Sequence, residues 1–133
     1  MYYFGYGSNF NHKQMNKRCR NAKYIGLGII SGKNLVFRGR NDIGYYADII
    51  DDNSKYVQVA VWNIDENDFY MLDLYEQVSD GLYKRKKCEC MLQDGSDIVK
   101  GIYYKMNDKF TVGEPSDSYI RTYLKDIMIV MQI

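Results

Sequence analysis

Three short segments hold residue types from which chemistry could be built. The first, Phe4-Gly5-Tyr6-Gly7-Ser8-Asn9, lies between an aromatic run and a basic stretch. Glycines there let backbone amides approach a ligand, and a helix starting behind them adds unpaired donors and partial positive charge. A tight turn with an asparagine cap reads the same way from these residues alone. The segment is not a dinucleotide fingerprint, since Phe10 occupies the third glycine's place, nor a nucleophile elbow, since Ser8 lacks the Gly-x-Ser-x-Gly frame. The second segment is Leu72-Asp73-Leu74-Tyr75-Glu76-Gln77-Val78. On a helix, Phe69, Leu72 and Glu76 share one apolar stripe, so the Glu76 carboxylate would face the interior or a pocket, where it could carry protons. If the helix stops a turn early, Glu76 is merely exposed. The third, Pro115-Ser116-Asp117-Ser118-Tyr119, is a proline-started, serine-capped helix and by itself nothing more.

Other chemistries are poorly supplied. The chain of 133 residues has one histidine, His12, so a histidine-rich metal site is excluded and a serine or cysteine triad would have to use that residue. Cys88 and Cys90 sit two apart on a strand-like run with no partner set for zinc, and read as packed thiols. No metal and no organic cofactor is expected. Lys84-Arg85-Lys86-Lys87 reads as an exposed strand edge that resists aggregation. Fourteen tyrosines beside basic residues could stack nucleobases, but a net charge of +1 argues against a nucleic-acid partner. The charge is unevenly spread: residues 1–41 carry eight Lys or Arg and no acid, and residues 42–133 carry ten basic and seventeen acidic groups. Either a local anion site or two oppositely charged halves docked on each other would explain this.

Hydrophobic residues at 46% and charged residues at 26% are the balance of a globular domain, and the length suits a single domain over residues 1–133. Three cysteines, an odd number, argue against a disulfide framework and for a reducing compartment. The longest apolar run, 127–131, is far too short to span a membrane, and residues 1–6 lack the pattern of a signal peptide, so a cytoplasmic protein without a membrane partner is expected.

The elements that must position these residues follow from pattern and punctuation. Residues 2–6 read as a first strand, and 11–20 as a short basic helix capped by Asn9 or Asn11. Strands are expected at 24–30, 34–38 and 45–50, and at 56–62, where Val57, Val59 and Val61 alternate onto one face. A helix is expected from Asp65 to about Glu76. Residues 82–92 and 98–106 form two strands joined by a hairpin turn at Asp94-Gly95. Pro115-Ser116 opens a last helix, and 127–131 continues it or forms a short strand. That run needs cover from its own core or from a second subunit, which would make a homodimer. The pattern predicts an α+β fold of five to seven strands with two or three short helices, its mixed sheet curved or partly closed rather than doubly wound.

In order, these segments resemble the γ-glutamylcyclotransferase-like family, which includes the AIG2-like proteins and the butirosin-pathway cyclotransferase. The pieces that match are Tyr6-Gly7-Ser8-Asn9, Arg18-Cys19, Ala47-Asp48-Ile49, Val59-Ala60-Val61-Trp62, Leu72-Asp73-Leu74-Tyr75-Glu76, Gly81-Leu82-Tyr83 and Pro115-Ser116-Asp117-Ser118-Tyr119. The chain departs from the family at Gln77, where glycine is common, and at Arg20, where proline often stands. The resemblance implies an α+β fold built as a small twisted mixed β-barrel of about five to seven strands flanked by two or three short helices, with one pocket at its mouth and a small-molecule γ-glutamyl substrate. It implies that Tyr6, Gly7, Ser8 and Asn9 bind the γ-glutamyl group, that Glu76 is the general acid/base, and that Tyr83 and Tyr119 line the pocket. The implied reaction closes the glutamyl group into 5-oxoproline and frees an amine. A non-catalytic module that binds a small anion or a partner protein in the same pocket is the rival reading.

Overall fold

The computed structural model describes residues 1–131. Strand β1 (Tyr2–Gly5) leads through a 3-10 turn (Gly7–Phe10) into helix α1 (His12–Arg18). Two long strands follow, β2 (Lys23–Arg40) and β3 (Gly44–Asn63), then helix α2 (Glu66–Tyr75). Strands β4 (Tyr83–Leu92) and β5 (Ile98–Met106), a two-residue strand β6 (Thr111–Val112) and helix α3 (Asp117–Met131) complete the order.

The four short strands expected between residues 24 and 62 are two long ones. Gly32, with φ of 75°, does not end β2. Ser31 pairs with Tyr56 and Lys33 with Asp51, so residues 52–55 stand opposite Gly32 alone and the pairing resumes beyond this bulge. A glycine in the left-handed region absorbs the extra residues that would otherwise break the ladder. The turn at 41–43 is all that separates the two strands.

Neighbouring strands run β3-β1-β5-β4-β2, and β2 pairs back onto β3, which closes a five-stranded barrel. β1 lies parallel to β5 and antiparallel to β3, which makes the barrel mixed. β6 adds to the far end of β2 at Arg38 and Gly39. The α+β fold expected from the pattern and the small mixed barrel implied by the resemblance are the architecture found.

Successive residues of a strand point to opposite faces, yet Tyr3 and Phe4 are both buried, as are Val59, Ala60, Val61 and Trp62. The alternation read at 56–62 is therefore lost after Val59, because helices cover the outer face. Tyr3 meets Phe69 of α2 edge-on at 6.1 Å, and Trp62 packs against His12 of α1 at 5.1 Å. Asp65 caps α2 by accepting from the amide of Asp68 at 2.8 Å, and Asn11, not Asn9, caps α1 by accepting from Gln14 at 3.0 Å. Ser116 Oγ accepts from the amide of Tyr119 at 3.1 Å and so caps α3, whose last turns include the run 127–131. Ile127 is buried within the chain's own core. Arg85, within the basic run on β4, forms a two-pronged pair with Asp73 of α2, with Nε and Nη2 donating at 2.9 and 2.8 Å. Among the described residues no helix is long and apolar enough to cross a membrane.

Candidate active site

The chain leaves β1 at Gly5 and turns at Gly7, whose φ of +59° lies in the left-handed region. A side chain there would also meet its surroundings: a Cβ would lie 2.8 Å from Ala47 Cβ and 3.3 Å from the Tyr119 hydroxyl. The turn commits the amide of Asn9 to the carbonyl of Tyr6 at 3.2 Å and that of Asn11 to the carbonyl of Ser8 at 3.2 Å. Asn9 therefore enters the site through its side chain and not its amide. The amides of Gly7 and Ser8 begin the turn and have no acceptor among the described residues.

Arg18, buried on α1, organises this corner. Its Nη1 donates to Ser8 Oγ at 3.0 Å and to Asn9 Oδ1. Its guanidinium carbon lies 3.2 Å from the centre of the Tyr75 ring. With Oδ1 taken, the Asn9 amide must point its Nδ2 the other way. There it donates to Tyr3 Oη at 2.7 Å and to Glu76 Oε1 at 3.2 Å. Helix α2 ends at Tyr75, so Glu76 is its C-cap and not its last helical residue, yet the side chain still turns inward. The helix thus runs to about Glu76 as expected and the inward reading holds, while the alternative, a helix stopping a turn early with Glu76 exposed, does not.

Glu76 is half-buried on the wall of a cavity of about 530 Å³, which it shares with Ser8, Gln77, Tyr83 and Tyr119. Burial raises its protonation midpoint from 4.5 to about 7, against the opposing pull of the Arg18 cation and the Asn9 hydrogen bond. Tyr83 and Tyr119 are both fixed on Ala47 of β3. The Tyr83 hydroxyl donates to the Ala47 carbonyl at 2.6 Å, and the Ala47 amide donates to the Tyr119 hydroxyl at 3.3 Å. The Tyr119 hydroxyl, having accepted, keeps its own proton to donate. Burial pushes the phenol midpoints of both tyrosines well above the ordinary value.

Tyr6 is not brought to this wall. Its side chain is buried and its hydroxyl donates to the Tyr104 carbonyl, with Asp48 Oδ1 at 3.4 Å. Asp48, adjacent to Ala47, is fully buried and accepts from Arg38 Nη1 at 2.7 Å and from the Met106 amide at 2.9 Å. That ion pair steadies the strand on which Tyr83 and Tyr119 are anchored. His12 is exposed and packs against Tyr24 and Trp62 rather than lining the cavity. Burial raises the thiols of Cys88 and Cys90 to about 11 and about 12, away from nucleophilic use.

Arg18, Tyr3 and Asn9's side-chain role were not read from the sequence as parts of the site. A signal for Arg18 existed: with Met15 it falls at i and i+3 on α1, and both are buried. An arginine on an apolar stripe needs a partner. Nothing in the order of residues pairs Tyr3 with Asn9, because both come to Glu76 through the tertiary fold.

Residues 3–123 match the family described as gamma-glutamyl cyclotransferase, AIG2-like. No curated protein matches by sequence. Among solved structures, one titled gamma-glutamyl cyclotransferase superposes with a TM-score of 0.85 at 21% identity, covering 95% of this chain and 77% of its own. An uncharacterised Homo sapiens protein, loc79017, gives 0.82 at 23% identity, covering 96% and 76%. YkqA of Bacillus subtilis gives 0.82 at 17% identity, with 98% of this chain matched to 49% of the larger protein. At these identities the structures speak for the fold, and the family match speaks for descent: the chain belongs to the AIG2-like gamma-glutamyl cyclotransferase family.

Proposed function

We propose that this protein is a γ-glutamylcyclotransferase: it closes the glutamyl part of a small γ-glutamyl amide into 5-oxoproline and releases the amine. One observation carries the reading. A carboxyl group on a cavity wall, hydrogen-bonded by the side-chain Nδ2 of Asn9, has its midpoint raised to about 7.

The substrate's α-nitrogen attacks its own γ-carbonyl, so nucleophile and electrophile arrive in one molecule. Holding it folded supplies an effective molarity on the order of 10⁵ M or more. No protein nucleophile is required. The α-ammonium must first lose a proton, and Glu76 takes it. The nitrogen then forms the new C–N bond, and negative charge gathers on the γ-oxygen. The amides of Gly7 and Ser8 and the Tyr119 hydroxyl are the donors available for that charge. Glu76 returns its proton to the leaving nitrogen, and the old C–N bond breaks as the γ-carbonyl re-forms. The ring nitrogen gives up its second proton through the Glu76 carboxylate to the departing amine, which leaves as an ammonium, and the carboxylate is restored. An α-ammonium near 8 facing a glutamate near 4.3 makes the first transfer uphill by about 5 kcal/mol. With Glu76 at about 7, the step costs about 1.4 kcal/mol. Burial thus offsets most of the barrier to this proton transfer.

The test is 5-oxoproline release from a panel of γ-glutamyl amino acids and γ-glutamyl amines. At least one should turn over, and Glu76→Gln should lower kcat by about 10²–10⁴ with the circular dichroism spectrum and Tm kept. Undiminished turnover in that variant contradicts the role of Glu76. Thermal stabilisation by the panel without any product identifies a binding module instead.

A further inference from the structure

We propose that Gln77 and Lys109 select the leaving group of the substrate, favouring one that carries a carboxylate; this rests on the ring-closing reading above. The starting observation is a backbone conformation. Gln77 has a φ of 54° and is the only non-glycine residue with positive φ among those described. It follows the C-cap of α2 and closes the helix in a Schellman arrangement: its amide donates to the Leu74 carbonyl at 3.2 Å, and the Val78 amide donates to that of Asp73 at 3.0 Å. Glycine serves this position best, because a side chain gains nothing from the motif and suffers the left-handed conformation. Strain kept at a pocket wall points to use of the side chain.

Most polar groups on that wall are already engaged. Ser8 holds Arg18, Tyr83 and Tyr119 hold Ala47, the Tyr46 hydroxyl donates to the Ile43 carbonyl, and Arg40 Nε donates to Asp42 at 2.6 Å. The exposed Gln77 amide has no hydrogen-bond partner among the described residues, and Lys109 has no carboxylate within 4.0 Å. Both line the cavity beside Glu76. Lys109 Nζ lies 3.6 Å from where a Cβ on Gly81 would sit, and 5.2 Å from the centre of the Phe110 ring. Gly81 belongs to the turn that folds back on Gln77, whose carbonyl accepts from the amides of Asp80 and Leu82 at 3.2 and 3.1 Å. One side chain next to the acid/base and one cation over the same turn therefore face the cavity uncommitted. An amide donor and an ammonium together suit a carboxylate, and a carboxylate is what an amino-acid leaving group has and a simple amine lacks. Asp80 is the contrary charge on this wall.

The experiment compares γ-glutamyl-alanine with γ-glutamyl-ethylamine, which differ only in that carboxylate. It also measures binding of glutaryl-alanine and glutaryl-ethylamine, which lack the α-amine and cannot close. The wild-type protein should favour the carboxylate member of each pair by about tenfold or more, in kcat/KM and in Kd. Lys109→Met should bring both ratios close to one, mainly through KM. Gln77→Gly should reduce both ratios several-fold while raising Tm by roughly 2–4 °C, the opposite of what a purely structural residue would do. Ratios near one in the wild-type protein, no binding of either analogue, or ratios insensitive to both substitutions would overturn the proposal. Absence of turnover with every γ-glutamyl compound would contradict the cyclotransferase reading, whereas turnover with ratios near one would contradict this proposal alone.

Discussion

Asn9 shows how a neutral side chain can govern a charged one. Arg18 claims its oxygen, so its nitrogen has to face Glu76 and Tyr3. The substitution Asn9→Asp keeps the partner for Arg18 but replaces the donor to Glu76 with a second carboxylate. Loss of a hydrogen bond to the charged form and added like charge both raise a carboxyl midpoint, here by about one unit or more. Only the deprotonated Glu76 can take the substrate proton, so kcat/KM should rise with pH through the Glu76 midpoint of about 7. In Asn9→Asp that limb should move upward, with about tenfold lower kcat/KM at pH 7 and convergence toward wild type at higher pH. A pH–rate profile measures it. Glu76 was legible in the sequence because an acid on an apolar stripe is conspicuous. Tyr3 was not, since a tyrosine among fourteen looks ordinary, and the one signal for Arg18, its place with Met15 on an apolar stripe, was masked by the basic residues around it.

The elements decide whether these side chains meet. The turn after β1 needs the left-handed conformation at Gly7 and close approach to Ala47. Gly7→Ala would strain the backbone and press on the residue that anchors Tyr83 and Tyr119. A loss of about 1–3 kcal/mol in stability is expected by urea unfolding, with a larger relative loss of activity. The break between β1 and α1, the cap residues Asp65 and Ser116, and the β4–β5 hairpin were all readable from local residue chemistry. The unity of β2 and β3 was not. Polar residues at 51–55 and glycines inside a run resemble turns in sequence, and only pairing across the hairpin shows that the ladder resumes. The end of α2 falls where it was expected, at about Glu76, but its Schellman closure was hidden, because Gln77 makes it where glycine would announce it.

At the level of the molecule, the separated charges find one another. Lys33, Arg38 and Arg40 from the basic first third pair with Asp51, Asp48 and Asp42 of the acidic remainder. Arg18 instead serves the cavity corner. The docking reading of the charge pattern therefore applies to Lys33, Arg38 and Arg40. Of these pairs only Arg38–Asp48 is buried, and Arg38 also ties down the chain after β5 by donating to the Phe110 carbonyl at 2.6 Å. Arg38→Met removes the nearer of the two cations at buried Asp48, leaving only Lys105 Nζ at 3.8 Å, and should cost up to about 3–5 kcal/mol in stability by thermal or urea unfolding. Arg40→Met breaks an exposed pair and should cost under about 1 kcal/mol. Barrel closure through the parallel β1–β5 pair could not be read locally, because it joins residues about one hundred positions apart. Only the resemblance to a known family suggested it.

The most direct check is a ¹³C NMR titration of the side-chain carboxyl carbons of the four glutamates, Glu66, Glu76, Glu89 and Glu114. One resonance, lost in Glu76→Gln, should titrate at about 7. If instead every glutamate titrates at the ordinary value near 4.3, the side chain at position 76 is solvated like the rest, and no proton-carrying group stands ready in the cavity.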